Sequence, residues 1–269
     1  NRTLPLPVHI RGNLGRLHVD KLDLDVKNFT VDLNGSDTTF TADMEQGAIY
    51  LQKTEENMTL AVTELDAEVL QPVIDFLDLK EGRLNFKAVG TLKNYEGWVV
   101  FNNVLLKDYA VLQNTLAFLD TIPALATFSS PGFDSEGYRI KDGVMHFTLN
   151  NDLLTVHNFL TDGETVNSQG SGWSDFKNRR LDVDLDLALM KNLSAIIDMI
   201  PLVGYAIQGE DGELTTSLKI TGNMDQPDIT TNLTEDIVLA PLNILQRTIA
   251  WPFIQLEKVI QNGSHPESN

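Results

Sequence analysis

The chain has 269 residues, 42% of them hydrophobic, enough to build a real core and too many for a disordered segment. Its formal net charge of −18 argues against a nucleic-acid partner and against electrostatic docking on anionic membranes, since both need a basic surface. There is no cysteine, which removes disulfides, thiolate chemistry and Cys-based metal sites and fits either the cytosol or an oxidising compartment.

Residues 4–62 read as consecutive strands. Leu17 and Val19 alternate with polar neighbours, then Leu22, Leu24 and Val26, then Phe29, Val31 and Leu33. The parity slips at Lys21 and at Lys27-Asn28, which predicts a bulge and a turn. Asn34-Gly35-Ser36 is a hairpin signal, and 45–47 and 53–57 are turns between further alternating runs.

A first helix is predicted over 66–79, although Pro72 best suits a first helical position. Strands follow over 84–92 and 98–106. A second helix is predicted over 109–128, where Leu112, Leu116 and Leu119 share a face. From 144 to 189 the signal is again all strand. The clearest piece is 181–189, where Leu181, Val183, Leu185, Leu187 and Leu189 alternate with Asp182, Asp184, Asp186 and Ala188. One face is apolar, and the other carries like charges that belong in water.

A third helix is predicted over 190–207, with Leu193, Ile196, Ile197, Ile200, Val203 and Ile207 on one side, and Gly209 as its stop. The period then drops to two over 214–220. A last helical stripe runs over 241–260, broken by Pro252, before a polar tail at 262–269. Each of the first three helices is followed by an acidic-Gly-x-apolar sequence: Glu81-Gly82-Arg83-Leu84, Asp142-Gly143-Val144-Met145 and Asp211-Gly212-Glu213-Leu214. This grammar is read as an irregular internal repeat in which the motif opens a strand.

The expected fold is β-rich α+β: one long antiparallel, curled sheet forming an apolar groove, capped by amphipathic helices. It is one elongated domain, with a strand-rich lead-in at 1–65, helix-plus-strand repeats at 66–229, and a C-terminal helical cap and mobile tail at 230–269.

The search for chemistry returns little. His9, His18, His146, His157 and His265 show no metal-ligand spacing, although His146 and His157 can meet across a hairpin. Asp182, Asp184 and Asp186 lie ~6.5–7 Å apart along a strand, too far to share one small cation, so a solvated face is the better reading. Gly170-Ser171-Gly172 leads into a strand rather than a helix and cradles no phosphate. No catalytic constellation, cofactor motif or metal site is expected. No signal peptide opens the chain and no apolar run approaches the ~20 residues of a membrane helix. The expectation is a piece cut from a longer protein, or one whose targeting segment was removed.

The helix, the acidic-Gly-x-apolar strand and the following Gly-x-apolar-x-x-Pro resemble the C-terminal region of the AsmA-like envelope proteins, which include the YhdP and TamB groups. The carrying residues are Gly212-Glu213-Leu214 with Gly222-Asn223-Met224-Asp225-Gln226-Pro227, and Gly82-Arg83-Leu84-Asn85-Phe86 with Gly90-Thr91-Leu92. Ile122-Pro123, Pro131-Gly132-Phe133 and Ile200-Pro201-Leu202-Val203-Gly204-Tyr205 look similar to the YhdP group in particular.

The resemblance implies a folded-over sheet crossing the Gram-negative periplasm. It also implies anchoring in the inner membrane through a segment outside this chain, and carriage of phospholipids toward the outer membrane. Its implied partners are phospholipid acyl chains and envelope membrane proteins, with no nucleic acid and no cofactor. On this reading the groove is lined by Leu84, Phe86, Leu154, Val156, Leu181, Val183, Leu185, Leu187, Leu214, Leu218 and Ile220. The residues themselves leave two outcomes open: a groove for acyl chains, or an apolar face closed into an ordinary core. The second would make the chain an envelope scaffold that binds a protein through a sheet edge or the 241–260 helix.

Overall fold

The computed structural model describes residues 6–19, 21–72, 78–91, 93–107, 114–115, 133–134, 137–163, 166–189, 207–208 and 214–231. These residues form a single sheet of 16 strands. In chain order the strands are β1 Val8–Val19, β2 Leu22–Asn34, β3 Asp37–Asp43, β4 Ala48–Lys53, β5 Met58–Asp66, β6 Asp78–Lys80, β7 Arg83–Gly90 and β8 Asn94–Lys107. There follow β9 Phe133–Asp134, β10 Gly137–Asn150, β11 Leu153–Gly163, β12 Val166–Asp175, β13 Arg180–Leu189, β14 Ile207–Gln208, β15 Leu214–Asn223 and β16 Gln226–Thr231. The main path runs β1-β2-β3-β4-β5-β7-β8-β10-β11-β12-β13-β15-β14, every neighbour antiparallel, with β6 on β8, β9 on β10 and β16 on β15. At ~4.8 Å per strand, the path extends roughly 58 Å along the hydrogen-bond direction. Its two edges do not meet, so the sheet is not a barrel.

A meander of this kind has two rims. One carries only short hairpin turns, at 35–36, 54–57, 91–93, 151–152, 176–179 and 224–225. The other carries the long connections 67–82, 108–136 and 190–213. These three connections leave from and return to the same rim, because the main-path strands between them come in even numbers, β7 and β8, then β10 to β13.

The strand readings largely agree with this sheet. The two parity slips are exchanged: Lys21 sits in the β1–β2 turn, and the irregularity falls inside β2, where Lys27 is skipped opposite Leu14, which has φ 53. Gly35, at φ 64, turns the β2–β3 hairpin.

The helical caps are the correction. Among the described residues the 66–79 segment is a single 3-10 turn, Ala67–Leu70, capped by the Asp66 side chain, which accepts from the Glu68 amide. Leu79 then lies in β6, paired with Leu106. The reason is tertiary. β7 pairs with β8 only as far as Asn102, so the end of β8 would be left with open backbone groups, and residues 78–80 pair there instead. Ile207, assigned to a helix, lies in β14 opposite Thr215. Asn114 and Thr115 are helical as expected. The rest of the 109–128 helix, residues 190–206 and the whole 241–260 stripe lie outside the described residues. The Asp-Gly motif is also corrected at one place. Asp142-Gly143 does not open a strand but sits inside β10, beside a register shift that follows Ile140.

Candidate functional site

In an antiparallel pair, residues directly opposite share a face. Following the register from β1 to β16 therefore assigns nearly every strand residue to one of two faces. One face is mostly apolar and nearly free of charge, interrupted at β12, which sets Ser168, Gly170, Gly172 and Ser174 on it. It carries Val31 and Phe40, then Leu51 and Leu60, then Phe86 and Val99, then Met145 and Phe159. The other carries most of the charge.

The candidate lining residues whose side chains are described fall on the apolar face. Leu84 and Phe86 oppose Phe101 and Val99. Leu154 and Val156 oppose Leu149 and Phe147. Val183 opposes Ile220, Leu185 opposes Leu218, and Leu189 opposes Leu214. Leu181 and Leu187 share the parity of Val183 and Leu185. They are not equally open. Leu84, Leu181, Leu187, Leu218 and Ile220 are at most 2% exposed. Phe86, Leu154, Val156, Val183 and Leu185 are half-buried.

The buried set is held in two clusters. One joins Leu24, Ile49, Val62, Leu79, Leu84 and Val104 on the side of the long connections, where the 3-10 turn and β6 cover the face. The other closes the β13–β16 end, bringing Tyr138 and Ile140 together with Leu181, Leu218, Ile220 and Met224, against Phe176 and Ile229. Along the hairpin rim Phe40, Leu60, Tyr95, Leu149 and Leu154 pack against the first cluster but remain half-buried, as does Leu51, and at the β1 edge Val8 and Ile10 are exposed. The apolar face, the trough, is thus buried along the side of the long connections and at the β13–β16 end, and half-buried along the hairpin rim toward β1.

Two features break the regular ladder beneath this face. Strands β8 and β10 are 14 residues long, against about 5–6 for an ordinary strand. They are interrupted by register shifts at Ile140/Asp142 and His146/Phe147, and Asn103 in β8 has φ 53. On the apolar face, moreover, several glycines lie directly opposite a phenylalanine. A Cβ on Gly12 would lie 2.3 Å from the Phe29 ring, one on Gly97 2.7 Å from Phe147, and one on Gly170 2.7 Å from Phe159. A glycine at such a position makes room for the ring across from it. Phe40, Leu51, Leu60, Tyr95 and Phe147 were absent from the candidate lining, although their alternation was visible. The pairing of ring to glycine was not, because it depends on register.

One polar feature crosses the trough. The Tyr138 hydroxyl donates to the Val166 carbonyl at 3.0 Å and lies 2.7 Å from Thr161 Oγ1, itself 2.5 Å from Ser168 Oγ. All three side chains are buried, so their hydroxyls satisfy one another. Burial pushes the Tyr138 phenol above its ordinary range, against the opposing pull of the Thr161 and Ser168 hydroxyls.

The outer face is wet and mostly paired. Asp182, Asp184 and Asp186 stand on it as expected, but they are not bare. Lys219 Nζ sits 2.5 Å from Asp182 and 2.9 Å from Asp184, and these hydrogen bonds hold the ammonium pKa above its ordinary value. Asp186 accepts from Gln169 at 3.2 Å and from the Ser217 hydroxyl. His146 and His157 do meet, with ring centroids 4.8 Å apart, and Trp98 stacks on the other side of His146, also at 4.8 Å. His146 Nε2 lies 2.6 Å from Glu96, and His157 Nε2 lies 2.6 Å from the Thr148 hydroxyl. Beside them Val144 and Leu160 form a small apolar cluster with Trp98 and Val100, the one place among the described residues where the outer face has its own core. No group of three potential metal ligands occurs among the described residues.

Residues 100–229 match the model of the YhdP protein family. Over that stretch, just under half of the chain, the sequence is similar to the YhdP family. It runs from within β8 to β16 and contains the whole of the closed end of the trough. YhdP proteins are envelope proteins of the AsmA-like group, so the resemblance read from the short Gly motifs holds at family level. No curated protein and no solved structure is similar enough to this chain to count as a match. No helix among the described residues is long and apolar enough to cross a membrane.

Proposed function

We propose that this chain is a non-catalytic lipid-binding segment of a bridge-like envelope protein that moves phospholipids across the Gram-negative periplasm toward the outer membrane. On this reading it is anchored at the inner membrane by a segment outside the chain. The observation that carries the reading is the trough: a mostly apolar face across the sheet, with half-buried Phe40, Leu51, Leu60 and Phe86 on it. Each acyl CH₂ laid on such a surface contributes ~0.8 kcal/mol, so many carbons can be held without a specific polar contact. The match of residues 100–229 to the YhdP family model supports the same reading. The ligand is the acyl chain of a phospholipid, and neither nucleic acid nor a cofactor takes part. Native mass spectrometry and lipid extraction of the purified chain test it. Co-purifying phospholipid is expected, and absence of both bound lipid and uptake of a fluorescent lipid overturns it.

A second reading is favoured by one observation. β1 is an edge strand whose Val8 and Ile10 are 37% and 45% exposed, an invitation to pair with another chain. On that reading the chain is an envelope scaffold whose sheet edge holds a protein partner. Capture of a defined partner, lost on Ile10→Pro and independent of lipid, would favour it.

A further inference from the structure

Charge is nearly absent from the trough face. In a chain that is 22% charged, Lys53 is the one charged residue that the register of the described strands places there. It ends β4 at the hairpin rim, opposite Thr38 on β3 and Met58 on β5. Directly inward on the same face come Phe40, Leu51 and Leu60, all half-buried. Lys53 is exposed and pairs with no carboxylate among the described residues, although Glu55 and Glu56 follow in the same turn. A cation and a hydroxyl on adjacent strands, ~5 Å apart at Cβ, thus stand at the lip of the trough, above an apolar floor. That is the outline of an amphiphile with an anionic head.

We infer that Lys53 and Thr38 hold the headgroup phosphate of a phospholipid at the hairpin rim, with its acyl chains running inward over Phe40, Leu51 and Leu60. This rests on the lipid-binding reading above and adds the site and the orientation of the head. A phosphate suits the pair because its several acceptor oxygens can take an ammonium and a hydroxyl together. The apolar floor beneath is three strands wide, ~10 Å across, room for two chains side by side. The lysine can lay its own methylenes on Leu51 and keep its head in water, so the site costs the empty protein little. The pair lies outside residues 100–229, on the half-buried part of the trough.

The test measures uptake of fluorescent phosphatidylglycerol, oleate and diacylglycerol by the purified chain and by Lys53→Glu, Lys53→Gln and Thr38→Val. Lys93→Glu, in the next hairpin turn along the same rim, is the control. Lys53→Glu is expected to lower phosphatidylglycerol uptake about threefold to fivefold, the range of one exposed charge contact, with the difference erased near ~1 M salt. Lys53→Gln and Thr38→Val lower it less, and diacylglycerol uptake and the melting temperature do not move. An equal loss for diacylglycerol, no loss for phosphatidylglycerol, or an equal loss for Lys93→Glu overturns the site. A loss for oleate as large as for phosphatidylglycerol overturns the phosphate assignment in favour of a carboxylate. A wild-type chain that takes up none of the three overturns the lipid reading itself, and this site with it.

Discussion

The trough has two regions built from the same residue types with opposite outcomes. On β13 and β15, Leu181, Leu218 and Ile220 are each 1% exposed. On β3, β4 and β5, Phe40, Leu51 and Leu60 sit in the same kind of antiparallel pairs and remain half-buried. Hydrophobicity does not separate them. What separates them is cover: the first region is overlaid by Phe176 and Met224 from hairpin turns and by Ile229 of β16, while the second meets the rim with Thr38, Lys53 and Met58 beyond it. A leucine in a strand is thus core or binding surface according to what crosses above it. Even one strand holds both: Leu181 and Leu187 are closed, and Val183 and Leu185 between them are half-open.

Charge placed in the two regions should separate them most sharply. Leu218→Asp buries a carboxylate with no partner and should cost several kcal/mol, enough to unfold a domain of ordinary stability. A circular dichroism melt checks this, and a native-like melt would mean the closed end is looser than its burial implies. Val183→Asp and Leu185→Asp, at half-open positions, should leave the chain folded and reduce lipid loading by roughly tenfold, the effect of ~1.4 kcal/mol. Asp184→Ala on the outer face is the control and should change neither property much. If both apolar mutants unfold the chain, the middle of β13 belongs to the core and the trough is shorter than drawn.

The glycine–phenylalanine pairs offer a subtler break. Gly97→Ala sets a methyl 2.7 Å from the Phe147 ring and 2.9 Å from the Lys87 carbonyl, and the backbone cannot yield easily. A loss of about 1–3 kcal/mol is expected in a denaturant titration. Pairing it with Phe147→Ala should recover part of that loss if the ring is the obstacle, and none if the carbonyl is.

The smallest effect belongs to the outer face. Asp162 lies opposite Asp142, and burial first, then that neighbour, raises its pKa, while Lys141 pulls it down. A carboxyl whose folded-state pKa lies above its unfolded one opposes folding wherever it is ionised. The cost is present above the folded pKa and gone below the unfolded one. Asp162→Asn should therefore raise stability slightly at pH 7, by under ~0.5 kcal/mol, with the gain vanishing below about pH 4. Melts of the two proteins across that range check the sign.

Much of the apolar face was legible because a strand's two-residue period sorts side chains without knowledge of its partner. Leu181 to Leu187, Leu84 with Phe86, and Leu218 with Ile220 were assigned by parity alone, and the register keeps them on one face. The 66–79 segment failed for the converse reason. Its apolar spacing allows a helix, but the unpaired end of β8 offered residues 78–80 a backbone partner that no local pattern announces. Asp142-Gly143 misled similarly. Gly after an acidic residue usually marks a turn, and here it serves a register shift in mid-strand.

The sequence by itself determined the alternation, and with it a long sheet having one wet and one apolar side. Only the tertiary structure decided where that apolar side is covered. Cover comes from residues distant in the chain, such as Met224 and Phe176 over Leu181, and from the register that sets Phe147 against Gly97 and Phe159 against Gly170. Periodicity is a property of neighbours along the backbone. Burial is a property of neighbours in space, and in this sheet the two part company at the rim.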